Sequence, residues 1–119
     1  MEDDNMSECL FCRIVAGSLP TEFVYEDEHV VAFRDINPAA PVHILIVPRE
    51  HIETVADLGS DGTGVMSRLT AAANRIARET GVDTGGYRLI VNCGPDGGQT
   101  VFHLHMHLLG GRKMPELAA

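Results

Sequence analysis

Apolar residues along this chain recur with two different periods, and the alternation between them lays out the secondary structure. From Thr63 to Thr80, Val65, Leu69, Ala72, Ala73, Ile76 and Ala77 fall at helical spacing with Gly81 just beyond, which predicts one long helix stopped by a left-handed residue. A shorter helical run of Leu10, Phe11, Ile14 and Val15 follows Ser7, a capping residue, and ends before Gly17. The β-rich runs 23–25 and 30–33 flank the polar segment 26–29 and read as a hairpin. His43–Val47 is apolar enough for a central strand and is closed by Pro48. A strand over 87–92, the Gly-rich turn 94–98 and a strand from about Thr100 to Leu109 complete the pattern. Adjacent strands with one long helix between them predict an α+β fold with a mainly antiparallel sheet. Residues 1–6 are polar and mostly acidic and read as a disordered tail, which leaves 7–119 as a single domain without internal repeats.

With 45% hydrophobic residues, 119 residues suffice for one core without disulfide stapling. No run approaches the ~20 apolar residues that cross a bilayer, and the acidic N-terminus is unlike a secretory signal, so the expectation is a cytoplasmic protein with no membrane partner. A net charge of −8 argues against broad nucleic-acid binding, but not against a small anion held locally by backbone N–H groups and imidazoles. Of three cysteines, Cys9 and Cys12 share one side of the short helix, a spacing that in a reducing compartment suggests metal or redox chemistry; Cys93 stands alone.

Residues 101–110 hold the densest chemistry. In a strand, His103, His105 and His107 would share one face about 7 Å apart while Phe102, Leu104, Met106 and Leu108 pack on the other. Any polar residue would satisfy such a half-exposed strand; histidine adds titration and ligation near neutral pH. Three uses compete: chelation of a metal by an i, i+2 pair, nucleophilic attack by one imidazole, and binding of an anion. Gly97 and Gly98 let backbone approach a ligand, and Asn92, Gln99 and Thr100 offer uncharged hydrogen bonds. Asp96 is the sole carboxylate between 87 and 111, so the surround suits oriented neutral donors on a phosphate better than a catalytic zinc.

The run His103 to Leu109 resembles the signature of the histidine triad nucleotide-binding proteins, and the similarity extends from about Ser7 to Met114. Segments 33–38, 40–43, 48–52 and 108–114 are similar to the Hint branch rather than to the Fhit branch of dinucleoside polyphosphate hydrolases. The resemblance implies a homodimeric HIT-like α+β fold and hydrolysis of adenosine 5′-phosphoramidates and related conjugates of purine nucleoside monophosphates. It further implies that His105 attacks the α-phosphorus to form a nucleotidyl-histidine. His107 then donates to phosphate or leaving group, Asn92, Gln99 and Thr100 orient them, and His43 supports the site. His105 should keep a modest pKa and turn its other nitrogen to a backbone carbonyl on its own strand. Leu10, Phe11, Ile14, Phe33, Arg34, Ile36 and Asn37 match the nucleoside-binding positions, with Asp35 accepting from the ribose hydroxyls. His29 matches nothing and is expected at the surface.

Zinc-bearing members, the bacterial type among them, also complete a Cys2His2 site, and the matching positions here are Cys9, Cys12, His51 and His103. Such a zinc would be structural, tying the N-terminal helix to the sheet and leaving His105 free. The redox reading of Cys9 and Cys12 is weaker, since no strand precedes them as in thioredoxin-like motifs. Two departures from the eukaryotic Hint pattern stand out: the end, 115–119, has no tryptophan, and Arg34 replaces a histidine. The rival readings are a zinc-dependent hydrolase with His103 and His105 as ligands, and a non-catalytic nucleotide-binding scaffold.

Overall fold

The structure, a computed structural model, describes residues 8–60 and 64–116. Its elements are α1 (Leu10–Val15), β1 (Phe23–Glu26), β2 (Val30–Arg34), β3 (Val42–Pro48), a 3-10 turn at Val55–Leu58, α2 (Val65–Thr80), β4 (Tyr87–Ile90) and β5 (Met106–Gly110). The five strands form one sheet in the order β1-β2-β3-β5-β4, with every neighbouring pair antiparallel. The expected α+β architecture, with one long and one short helix, is what forms. Among the described residues no helix is long and apolar enough to cross a membrane.

Two capping arrangements differ in interest. Ser7 and the tail 1–6 lie outside the described residues; in α1 it is Cys9 that caps, its thiol accepting from the Cys12 amide at 3.3 Å. Capping thus brings the two cysteines together. The long helix ends as its sequence predicts, at Gly81 with φ 83°.

Strand alternation sorts the core onto two faces of the sheet. Val30 and Ala32 of β2, Ile44 and Ile46 of β3, and Met106 and Leu108 of β5 join Leu69, Ala72, Ala73 and Ile76 of α2 in the main core. Val31, Phe33, Leu45 and Val47 face the other way and pack with Phe11 and Ile14 of α1. His43 shares parity with Leu45 and Val47, so it projects onto the α1 face, and the pairing of Leu45 with His107 puts His107 beside it.

One expectation fails. The strand predicted from Thr100 begins only at Met106. Residues 99–105 run along the end of the sheet, where the Leu104 amide donates to the Ile52 carbonyl and the Gln99 amide nitrogen to those of Glu53 and Val101. Apolar and histidine positions still alternate, since Leu104 is fully buried in the main core, but the histidines are not a half-exposed face. His103 and His105 are 0% and 7% exposed because α1 lies over them, while Phe102, expected in the core, is 41% exposed.

Candidate active site

Each of the three triad histidines is held by a different partner, and the partners fix which ring nitrogen carries hydrogen, because a backbone carbonyl only accepts and an amide only donates. His103 Nε2 lies 2.8 Å from the Pro48 carbonyl, so it bears the proton and donates. Its Nδ1 lone pair then faces Cys9 Sγ at 3.4 Å and Cys12 Sγ at 3.5 Å. His105 does the reverse: its Nδ1 donates to the His103 carbonyl at 2.7 Å, leaving a lone pair on Nε2. The expected carbonyl partner is present, on the segment before β5 rather than within a strand.

His107 is set from further away. The Ala39 amide donates to His43 Nδ1 at 3.0 Å, which obliges neutral His43 to carry its hydrogen on Nε2. That hydrogen points to His107 Nδ1, 2.9 Å away. His107 Nδ1 therefore accepts, and its Nε2–H is the donor left over. Asp35 stands beside the pair, its carboxylate 3.5 Å from His43 Nε2. Asp35, His43 and His107 form a group of potential metal ligands, but the Ala39 amide takes the His43 lone pair and denies it to an ion.

Burial keeps all three rings neutral near pH 7. It lowers the pKa of His105, against a smaller opposing pull from its carbonyl partner and from Asp35. It also lowers His107 to about 4, reinforced by His105 and His43, and His103 to about 4. Much of the cover is Phe11, whose ring meets His105 edge-on at 5.0 Å and also touches Phe33 and His103. The His105 and His107 rings are 5.1 Å apart, so a lone pair and an N–H donor stand side by side.

Cys9, Cys12, His51 and His103 bring four ligand atoms within 4.8 Å of one another. Cys12 Sγ lies 3.1 Å from His51 Nδ1, and the sulfur–nitrogen spacings here sit near the ~3.5 Å of a tetrahedral zinc with ordinary bond lengths. Two thiols and two imidazole lone pairs from α1, the segment after β3 and the triad are a donor set that fits zinc. His51 is the less firmly oriented of the two imidazoles, since its buried Nε2 has no hydrogen-bond partner among the described residues whereas His103 has Pro48.

The remaining predicted positions divide. Asn92 donates to the Gly97 carbonyl at 2.7 Å and Gln99 accepts from the Gly94 amide at 2.9 Å, so both side chains brace the glycine turn. Gln99 has both amide hydrogens committed to carbonyls; Thr100 is exposed. Gly97 answers to its own turn, where a Cβ would fall 2.4 Å from the Cys93 carbonyl oxygen. Of the nucleoside positions, Phe11, Ile14 and Phe33 are core, while Leu10 (42%) and Ile36 (91%) expose apolar surface; Arg34 and Asn37 are exposed and Asp35 half-buried. His29 is exposed. A hollow of about 180 Å³ touches Asp35 and His43. One of about 750 Å³ lies away from the imidazoles, between the end of α2, β4 and residues 111–114. The Ala39 link to His43 was not foreseen, and spacing carries no signal for it.

A profile of the HIT domain matches residues 16–114. The purine nucleoside phosphoramidase of Escherichia coli K12 is 45% identical over 112 residues, 94% of each chain. Among solved structures, a histidine triad protein from Clostridium difficile superposes with a TM-score of 0.91 at 45% identity, covering 99% of this chain and 100% of that one. A HIT family hydrolase from Clostridium thermocellum gives 0.89 at 49% identity, covering 94% and 97%.

Proposed function

We propose that this chain, which belongs to the HIT domain family, is a nucleotidyl hydrolase that cleaves phosphorus–nitrogen bonds in 5′-monophosphate conjugates of purine nucleosides, with His105 as nucleophile. The observation that carries the reading is the pairing of a lone pair on His105 Nε2, under Phe11, with a donor on the neighbouring His107 Nε2. The substrate class follows the likeness to a purine nucleoside phosphoramidase.

In the first step the His105 Nε2 lone pair bonds to the α-phosphorus and the P–N bond breaks, its electron pair leaving on nitrogen, which takes up a proton from solvent water. The Nδ1–H bond to the His103 carbonyl steadies the cationic ring that results. His107 Nε2–H is placed to hydrogen-bond a phosphate oxygen or the leaving nitrogen. Water then adds to phosphorus, the His105–phosphorus bond breaks with its pair returning to Nε2, and the water's proton is released. In this reading Thr100 and the turn braced by Asn92 and Gln99 would border the phosphate, the exposed Leu10 and Ile36 would offer apolar surface to the base, and Asp35 an acceptor to the ribose.

Zinc, held by Cys9, Cys12, His51 and His103, would stay outside the reaction and fasten α1, and with it Phe11, to the sheet. A homodimer is supported by β4, an edge strand with half-buried residues throughout and no neighbour on its outer side among the described residues. A cytoplasmic setting fits a chain whose Cys9 and Cys12 are grouped with His51 and His103 as potential metal ligands. The test is a brief exposure of the protein to adenosine 5′-phosphoramidate followed by mass spectrometry. Nucleotide mass on the peptide containing His105 is the expected result; turnover by folded His105→Ala equal to that of the parent protein would refute the assignment.

A further inference from the structure

We propose that Arg112 is a positioning residue that sets the donor sense of His107 from outside the site. Its consequence for turnover rests on the hydrolase reading, but the arrangement it governs exists in the free protein. The chain of hydrogen bonds has one direction throughout. An Arg112 guanidinium nitrogen donates to the Ala39 carbonyl at 2.8 Å, the Ala39 amide donates to His43 Nδ1, and His43 Nε2–H donates to His107 Nδ1.

Ala39 needs such an anchor. It lies between Pro38 and Pro41, which have no N–H, in a loop outside the sheet, and is itself exposed. The Asp35 amide donates to the His43 carbonyl across the base of the loop, and the Asn37 amide to the Asp35 carboxylate beside it. Arg112 grips the far end. Gly111 alone separates it from β5, the strand that carries His107, so the clamp returns the end of that strand to the loop controlling its imidazole.

A second contact shows the two segments built to meet. Gly111 has φ 98°, and a Cβ there would fall 2.9 Å from Pro41 Cβ, so the chain approaches the loop as closely as only glycine permits. A neighbouring Arg112 bond, to the Lys113 carbonyl at 3.2 Å, holds the guanidinium across the gap. Without the clamp Ala39 can withdraw, His43 Nδ1 loses its obligatory donor, and the His43–His107 pair becomes free to reverse. In the reversed pair His107 presents a lone pair where phosphate requires a hydrogen.

The experiment is imidazole nitrogen NMR of the free protein together with steady-state kinetics on adenosine 5′-phosphoramidate, for the parent chain, Arg112→Ala and Arg112→Lys. The parent spectrum should show hydrogen on Nε2 of both His43 and His107. Arg112→Ala should show mixed tautomers at both rings with His105 unchanged, and kcat lower by on the order of tenfold with KM altered much less. Arg112→Lys, which keeps one donor, should recover most of both. Unchanged tautomers in Arg112→Ala overturn the proposal, as does a rise in KM alone, which would make Arg112 a direct contact of the phosphate. Tautomers that shift in a protein whose parent form turns over no phosphoramidate would leave the clamp standing and refute the hydrolase.

Discussion

If the Cys9–Cys12–His51–His103 cluster holds zinc as proposed, removing it should weaken the fold by a calculable amount while sparing the chemistry. An ion that binds only the folded state at a free concentration a thousandfold above its dissociation constant adds about 4 kcal/mol. Unfolding of 119 residues carries an entropy near 0.25 kcal/mol/K at roughly 2.1 cal/mol/K per residue, so the midpoint should fall by about 16 °C on chelation. Cys12→Ala should lie at the chelated value and show no response to zinc, since Cys12 Sγ faces both imidazoles of the cluster. Turnover at 25 °C should survive chelation, because the hydrogen on His105 is fixed by the His103 carbonyl and that on His107 by His43. The assay is differential scanning calorimetry with and without chelator, paired with phosphoramidate hydrolysis by the same samples. Equal midpoints would refute the structural zinc. Activity lost while the fold is intact and restored by zinc would refute the separation of fastening from chemistry.

His105→Ala should lower phosphoramidate hydrolysis by about 10³-fold or more, the scale set by loss of a covalent nucleophile, with circular dichroism unchanged. If neutral His105 is the attacking group, kcat/KM should show no acid limb with its midpoint at or above pH 6.5, since burial lowers the His105 pKa below that ordinary value; a limb centred there or higher would contradict this. Stability carries the matching sign. His107 titrates near 4 when folded and near 6.5 when unfolded, so its contribution is present above pH 6.5 and lost as pH falls towards 4, which urea melts at pH 7.5, 5.5 and 4.5 would follow. In the main core, Leu69→Ala empties a fully buried position and should cost about 2–5 kcal/mol by the same melts.

The sequence spoke clearly where structure is local. The long helix and its glycine stop follow from spacing and backbone freedom, and the hairpin and central strand from β-branched runs around polar turns. The triad was legible as chemistry but not as geometry. Alternation placed Leu104 and Met106 correctly in the core, yet it could not show that residues 99–105 spend their hydrogen bonds on Ile52 and Glu53 rather than on a strand. Nor could it show that α1 buries the histidines, because Phe11 comes from the other end of the chain. The pairing of His43 with His107 spans 64 residues and depends on the register of β3 against β5, which no short-range pattern contains.

The bond from His105 to the carbonyl two residues before it makes the proposed nucleophile a portable device. Its hydrogen is assigned within a single tripeptide, so a graft of His103-Leu104-His105 in the same backbone shape takes its own wiring along. His107 has no such independence, since its instructions arrive from another strand and a proline-flanked loop. A designer transplanting this chemistry could expect to carry the attacking imidazole with a few residues, and would have to rebuild a neighbourhood to obtain its partner.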